Sequence, residues 1–176
     1  MARILMVAAE GLPFIKSGGL ADVIGSLPNE LAKKGHEVRV IMPLYLKIAQ
    51  KFHHEFTLEA QFSVSIAYHE VPVNIWSTMR KDVKFYFVEH KGYFEREEMY
   101  GHIDDGERFA YFQKAVIEMC NQLNYFPEIM HCHDWHTGMI PAMCKEGHSF
   151  DERYRNIRFV YTIHNLAYQG TVSYTH

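Results

Sequence analysis

The first thirty residues constrain the fold more than any other part of the chain. An apolar run at residues 4–9 predicts a buried parallel strand, and the residues from Leu20 onward follow the helical period. Between them, residues 16–19 read Lys-Ser-Gly-Gly, so a lysine and two glycines fall where a strand gives way to a helix N-terminus. The unpaired N–H groups and the dipole of a helix N-terminus attract anions. The segment therefore predicts a strand, a turn and a helix with a phosphate site at the turn.

Two familiar nucleotide fingerprints do not describe this turn. Four residues separate Gly11 from Lys16, but the second glycine that precedes the lysine of a Walker A loop is missing, and so is a G-x-G-x-x-G pattern. Glycines at such a turn can serve tight packing alone. Lys16 and the polar helix start at Ser17 favour phosphate contact over that purely structural interpretation.

The rest of the chain alternates between strand and helix patterns, with a β-meander in the middle. Pro28 lies inside the first predicted helix, so we expect a kink there or a restart with Ser26 as a cap. Strand patterns occur at residues 37–42, 129–132 and 159–163, helix patterns at residues 20–34, 106–123 and 138–145, and period-two alternation across residues 54–89. The sum is an α/β fold with a doubly wound, mostly parallel sheet and a β-meander insert.

Composition narrows the class of protein. With 176 residues, 48% of them hydrophobic, the chain is long enough for one domain with a real core. A formal net charge of −3 gives no electrostatic footprint for nucleic acid, and no apolar stretch approaches a membrane span. No signal-peptide pattern opens the sequence, and the three cysteines have no CxxC spacing. We expect a soluble cytoplasmic protein without nucleic-acid or membrane partners.

Polar residues cluster directly after three of the predicted parallel strands. The first strand is followed by Glu10 and the Lys16 turn, the strand at residues 129–132 by residues 133–136, and the last strand by residues 164–170. Ligands of open α/β sheets bind at the carboxyl ends of the strands. We therefore expect the three clusters to converge on one cleft.

Two of these clusters admit other interpretations. Imidazole, thiolate and carboxylate are zinc ligands, so His131, Cys132, His133 and His136 suggest a metal site, but in a strand Cys132 points away from its two neighbours. A polar crevice is the favoured interpretation. Similarly, His164 and Asn165 can form a simple turn or can hydrogen-bond sugar hydroxyls, and the sequence leaves both open.

Six elements in order resemble bacterial glycogen synthases and plant starch synthases. Residues 16–23 match the family's K-[TS]-G-G-L-A-D-V signature, with Glu10 and Pro13 ahead of it. The other elements are residues 35–40 with Pro43, the F-D-R…Y-G element at 93–101, D-x-x-R-F-x-x-F at 105–112, H-x-H-D-W-H at 131–136 and T-x-H-N-x-x-Y/F-Q-G at 162–170. The resemblance implies the Rossmann-like N-terminal domain of a GT-B glycosyltransferase over residues 1–176.

The resemblance also implies a reaction: retaining transfer of glucose from ADP-glucose to the non-reducing end of an α-1,4-glucan. Lys16 and the amides of Gly18 and Gly19 would face the diphosphate. Asp134 and His164 would line the donor-glucose pocket as the catalytic residues. Around the sugar or the acceptor, the resemblance implies three further residues: Asp22, Tyr93 and Asn165. It implies neither a metal nor another cofactor, because lysine and arginine charges take the place of a metal.

Enzymes of this family are much longer than 176 residues, and their C-terminal domain binds most of the nucleotide. We therefore expect a truncated N-terminal domain whose partner is the missing C-terminal domain, and which has little transferase activity alone. Three alternatives stay open: a GT-B transferase using UDP-glucose, a non-catalytic glucan-binding module, and a zinc-binding regulatory domain.

Overall fold

A computed structural model describes residues 1–166, and the Ala-Tyr-Gln-Gly end of the last motif, residues 167–170, lies outside the described part. Seven strands form one sheet: β1 Arg3–Val7, β2 Glu37–Pro43, β3 Thr57–Ile66, β4 His69–Arg80, β5 Val83–Glu89, β6 Ile129–His133 and β7 Arg158–Thr162. Six α-helices accompany them: α1 Gly19–Lys33, α2 Leu46–Phe52, α3 Lys91–Phe94, α4 Asp105–Gln122, α5 Ile140–Gly147 and α6 Glu152–Arg155. Two 3₁₀ turns, His53–Glu55 and Trp135–Thr137, complete the regular structure.

The strand order β3-β4-β5-β2-β1-β6-β7 is that of a doubly wound sheet. Five adjacent strands, from β5 to β7 in this order, are parallel. The chain first moves outward from β1 to β2 and β5, and then returns to the other side of β1 to form β6 and β7. The order therefore reverses between β1 and β6, and this is the point where open α/β sheets bind ligands.

Helices cover both faces of the sheet. On one face, Ile24 of α1 lies beside Met42 of β2, where both approach Gly11. Arg39 points to the opposite face because side chains alternate along a strand, and there it lies 3.6 Å from the ring of Tyr125, just beyond α4. Burial on both faces explains the uninterrupted apolar runs at residues 4–7 of β1 and residues 40–43 of β2.

The β-meander that the alternating pattern predicts is present in the structure and has three strands. β3 pairs antiparallel with β4, and β4 pairs antiparallel with β5. The third strand, β5, also pairs parallel with β2, so it belongs to the parallel sheet and joins the insert to it. Within residues 1–166, none of the helices is both long and apolar enough to cross a membrane.

The first helix runs without a break through Pro28, so the predicted restart at Ser26 is wrong. The Ser26 hydroxyl does not cap a new helix. It donates instead to the carbonyls of Asp22 and Val23 in the preceding turn. Because Pro28 is buried with the apolar face of α1, its packing holds the helix together where one backbone hydrogen bond is missing.

Candidate active site

The candidate site lies at the carboxyl ends of β1 and β6, on the two sides of the point where the strand order reverses. The two strands are hydrogen-bonded neighbours, with Val7 opposite Cys132. The loop after β1 carries Lys16, and the loop after β6 carries Asp134. Neighbouring parallel strands end at the same edge of the sheet, so these loops lie on the two sides of the point where open α/β sheets have their ligand-binding crevice.

Glu10 holds the Lys16 loop in place through backbone hydrogen bonds. Its side chain is buried, with 3% of its surface exposed, and its carboxylate accepts hydrogen bonds from the N–H groups of Ser17 and Gly18. A buried carboxylate needs such donors, and two of them from consecutive residues fix the path of the backbone. Glu10 therefore fixes the conformation of the loop that leads into α1.

The paired glycines have open space around them. Among residues 1–166, a Cβ atom added to Gly19 would meet nothing within 4 Å, and one added to Gly18 would meet only the Glu10 Oε1 atom at 3.6 Å. Gly18 has extended backbone torsions that any residue adopts. Within the described residues, neither internal packing nor backbone conformation therefore requires glycine at these two positions.

Tight packing falls instead on two other glycines of this region. A Cβ atom at Gly11 would lie 2.5 Å from Ile24 Cγ2 and 2.8 Å from Met42 Cε, and one at Gly25 would lie 2.8 Å from Leu12 Cβ. These glycines let α1 pack closely on the loop and on β2. Tight packing, one possible role of Gly18 and Gly19 from the sequence, thus belongs to Gly11 and Gly25.

This division predicts opposite effects on stability. We expect Gly19→Ala to change the free energy of unfolding by less than about 0.5 kcal/mol, because the added methyl group enters open space. The same change at Gly11 should destabilise the fold by about 1–3 kcal/mol, because the methyl group overpacks a filled interface. Urea unfolding of the two variants measures the difference. Equal losses would contradict the assignment of open space to Gly19.

Lys16 and Asp22 lie together in the structure. The Lys16 Nζ atom is 2.7 Å from both carboxylate oxygens of Asp22, one turn into α1, and both side chains are about half exposed. Asp22 thus holds the ammonium group near the helix N-terminus, where Gly19 as the first helical residue has an N–H group without an acceptor inside the helix. The N–H group of Gly18 is already bonded to Glu10.

In the loop after β6, Asp134 has a strained backbone. Its torsions, φ 58° and ψ −179°, lie in a region that is almost exclusive to glycine and that costs a side-chain-bearing residue about 1–3 kcal/mol. The conformation is held by its N–H group, which donates to the Thr162 carbonyl at 3.0 Å, and by its carbonyl, which accepts from Thr137. Its Oδ1 atom accepts the His164 N–H at 2.7 Å. Asp134 and His164 are therefore joined by a hydrogen bond between the two loops.

Two further histidines, His131 and His133, lie in a row with His164. The rings of His131 and His133 stack with centroids 4.0 Å apart, and His133 Nδ1 lies 2.9 Å from His164 Nε2. His131 Nε2 lies 2.7 Å from the Thr162 hydroxyl. These contacts join β6 to the end of β7 and connect the loops that follow the two strands.

The zinc set considered from the sequence is not assembled. Cys132 points to the face opposite His131 and His133, and His136 packs between aromatic rings, 4.6 Å from Phe109 and 4.9 Å from Tyr100. In the part of the chain that the structure describes, no three His, Cys, Asp or Glu side chains are placed to hold a metal ion.

Two buried histidines make the stability of the fold depend on pH. Burial, together with neighbouring His131 and His164, lowers the pKa of His133 to about 3, and burial with Arg108 lowers the pKa of His136 to about 3. In the unfolded chain both titrate near pH ~6.5. The unfolded state therefore binds more protons between these values, and stability present at neutral pH is lost as the pH falls.

Each of these histidines should reduce the free energy of unfolding by up to about 1.4 kcal/mol per pH unit below pH ~6. Replacing His136 with phenylalanine keeps the ring among its aromatic neighbours and removes one titration. We expect urea unfolding between about pH 7 and about pH 5 to show a shallower decline for His136→Phe. Parallel declines for the variant and the unchanged chain would contradict this assignment.

The other two predicted residues lie at the same edge of the sheet with different neighbours. Tyr93 lies in α3, just after β5, and its hydroxyl donates to the carboxylate of Glu107 on α4. Burial and that carboxylate raise the pKa of Tyr93 to about 12. In the strand order, β5 is two strands from β1, so Tyr93 follows a strand that is not next to β1. Asn165 follows His164 directly and is exposed.

Two of the sequence motifs have structural roles. Arg96 donates two hydrogen bonds of 2.6 Å to the carboxylate of Asp104, which ties α3 to the start of α4. Arg108 is completely buried and donates to Asp105 at 3.0 Å and to the Met99 carbonyl at 3.1 Å. The sequence placed Glu10 and His133 in the polar clusters after the strands but assigned neither of them a role, because their partners lie 7 or more positions away along the chain.

The doubly wound sheet and the polar loops at its reversal point define a Rossmann-like, ligand-binding α/β domain. A family model of the starch synthase catalytic domain matches residues 3–176, and the chain belongs to this family. The sheet accordingly is the GT-B type of Rossmann-like fold that the sequence predicted.

Individual relatives agree with this membership. Glycogen synthase of Streptococcus agalactiae is 46% identical over 168 residues, and that of Streptococcus equi is 47% identical over 168 residues; in both, the match covers 96% of this chain and 35% of the relative. The catalytic domain of starch synthase IV from Arabidopsis thaliana, solved with bound ADP and acarbose, superposes with a TM-score of 0.85 at 29% identity. It too is matched over 96% of this chain and 35% of its own. The chain thus spans about 35% of the length of these relatives.

Proposed function

We propose that the chain is part of a glucan synthase that transfers glucose from ADP-glucose to the non-reducing end of an α-1,4-glucan with retention of configuration. The observation that carries the proposal is the placement of polar groups at the carboxyl ends of β1 and β6. An ammonium group and a helix N-terminus stand on one side, and an aspartate–histidine pair stands on the other. Membership of the starch synthase family and the ADP-bound relative support this choice of substrate.

The proposed chemistry follows from the charges on the two sides. The bond between glucose C1 and the diphosphate breaks, the glucan 4-hydroxyl bonds to C1 from the same face, and its proton passes to the departing phosphate. Lys16 and the Gly19 N–H would stabilise the negative charge that grows on the diphosphate. Gly18 enters through its lack of a side chain, because its N–H group is bonded to Glu10.

The sugar would lie against the second side. Asp134 and His164 would line the donor-glucose pocket, with the His164 ring donating to a sugar hydroxyl. Asp22 would position Lys16 and approach the sugar, while Asn165 and Tyr93 would lie toward the acceptor. The Tyr93 hydroxyl would first have to leave Glu107 to reach a ligand.

We also propose that a second domain completes the site, because the active site of a GT-B enzyme is assembled between two domains. The comparison with relatives of nearly three times this length is consistent with that arrangement. The chain by itself would then bind ADP-glucose weakly and transfer glucose poorly. Calorimetry with ADP-glucose tests the first statement, and robust glucan extension by these 176 residues would contradict the second.

The decisive experiment is a transfer assay on the gene product that carries this sequence. It is offered ADP-glucose or UDP-glucose with a maltooligosaccharide, and chain extension is followed by chromatography. Extension from ADP-glucose supports the proposal, and extension from UDP-glucose alone replaces the donor. Binding of maltooligosaccharide without transfer, unaffected by changes at Asp134 or His164, would instead identify a binding module.

A further inference from the structure

His133 makes a contact that the proposed chemistry has not used. It is the last residue of β6, its side chain is completely buried, and its Nδ1 atom lies 2.9 Å from His164 Nε2. The two ring planes are within 21° of each other, and their centroids are 5.2 Å apart. With nitrogens this close, the rings meet edge to edge through a hydrogen bond.

The surroundings of His133 decide which ring donates. Burial with neighbouring His131 and His164 lowers the pKa of His133 to about 3, so its ring is neutral and has one N–H group. Its Nε2 atom is buried and has no hydrogen-bond partner among residues 1–166. A hydrogen on Nε2 would be a buried donor without an acceptor, which is rarer and costlier in proteins than a bare lone pair.

The hydrogen of His133 therefore belongs on Nδ1, and His164 Nε2 is the acceptor. A neutral ring that accepts at Nε2 carries its own hydrogen at Nδ1. His164 is thus left with one donor, Nδ1–H, for any further partner. Oxygen atoms of a sugar or a phosphate are acceptors for such a group.

His164 needs this support because little packing surrounds it. It follows the end of β7, the last strand of the sheet, and its neighbours Ile163 and Leu166 are 53% and 70% exposed. Two consecutive residues of the neighbouring loop hold it instead. Asp134 accepts its backbone N–H at 2.7 Å, and His133 holds its ring.

We propose that His133 is a positioning residue that sets the tautomer and the ring orientation of His164, so that His164 presents its Nδ1–H group to the substrate. The inference rests on the proposed function, in which His164 contacts the sugar. It adds the buried partner that prepares that contact, in the way that a second hydrogen bond selects the tautomer of a functional histidine.

Nitrogen NMR tests the tautomer directly. In the chain labelled with ¹⁵N-histidine, long-range proton–nitrogen spectra should show His164 protonated at Nδ1. His133→Leu fills the same space without a donor, and we expect the His164 hydrogen to move largely to Nε2. His133→Asn places an amide nitrogen near the Nδ1 position and should keep the original tautomer. An Nε2–H tautomer in the unchanged chain would overturn the inference, even if His133→Leu failed to fold.

Kinetics of the gene product that carries this sequence give the second measurement. We expect His133→Leu to lower kcat/KM for ADP-glucose about tenfold, the effect of one positioning hydrogen bond, and His133→Asn to restore most of it. Equal activity of the leucine variant and the unchanged enzyme would overturn the positioning role. An unchanged enzyme without transferase activity would refute the proposed function instead, while the tautomer measurement would still stand or fall alone.

Discussion

Replacing Lys16 with alanine is expected to lower kcat/KM for glucosyl transfer by about 10²–10³-fold, the usual cost of removing one group that stabilises developing negative charge. The Lys16 ammonium stands at the start of α1, where the diphosphate would leave. Its loss should leave the fold intact, because an exposed ion pair contributes only about 0–1 kcal/mol. The measurement is transfer of labelled glucose from ADP-glucose to glycogen by the gene product that carries this sequence.

The same helix supplies a matched control. Lys33 is an exposed lysine that lies 2.6 Å from a carboxylate oxygen of Glu30, but it stands at the far end of α1. We expect Lys33→Ala to leave both kcat and KM unchanged. If Lys16→Ala and Lys33→Ala had equal activities, Lys16 would have no part in the reaction.

Changing Asp134 to glycine is expected to separate stability from activity. The glycine accepts φ 58° and ψ −179° without the strain that Asp134 carries, but it removes the carboxylate that holds the His164 N–H. We expect transfer activity to fall by about 10²-fold or more, because the donor pocket loses one residue and the support of another.

Asp134→Ala is the control for that prediction. It loses the same carboxylate and keeps the backbone strain, so it should be about 1–2 kcal/mol less stable than Asp134→Gly. Urea unfolding compares the two variants, and the transfer assay should find both nearly inactive. If the alanine variant were as stable as the glycine variant, Asp134 would not be strained. Full activity in either would exclude the carboxylate from the site.

Much of the fold could be predicted because local patterns record burial. The apolar run before the Lys16 turn, the helical period of α1 and the alternation across the meander all identified elements that the structure contains. The predicted restart of α1 at Ser26 was wrong because it relied on local rules alone. Local rules place a break at Pro28, whereas packing of the helix on the sheet keeps it continuous.

The motifs were less informative about roles than about membership. Arg108 and Arg96 belong to patterns shared with the family, yet in this chain they bind carboxylates within the fold. Tyr93 was expected near the sugar, and its hydroxyl is bonded to Glu107. A motif shows that a residue belongs to a pattern, while its partners depend on where neighbouring elements lie.

The sequence by itself determined the class of fold, the strand ends that carry polar residues, and the family. Tertiary structure alone decided that Glu10 folds the Lys16 loop, that Gly11 rather than Gly19 is needed for packing, and that His133 and Asp134 together hold His164. The physical reason is the range of the interactions. Periodicity reflects neighbours a few residues apart, whereas the contacts of His164 join residues about thirty positions apart that meet only when β6 and β7 pair.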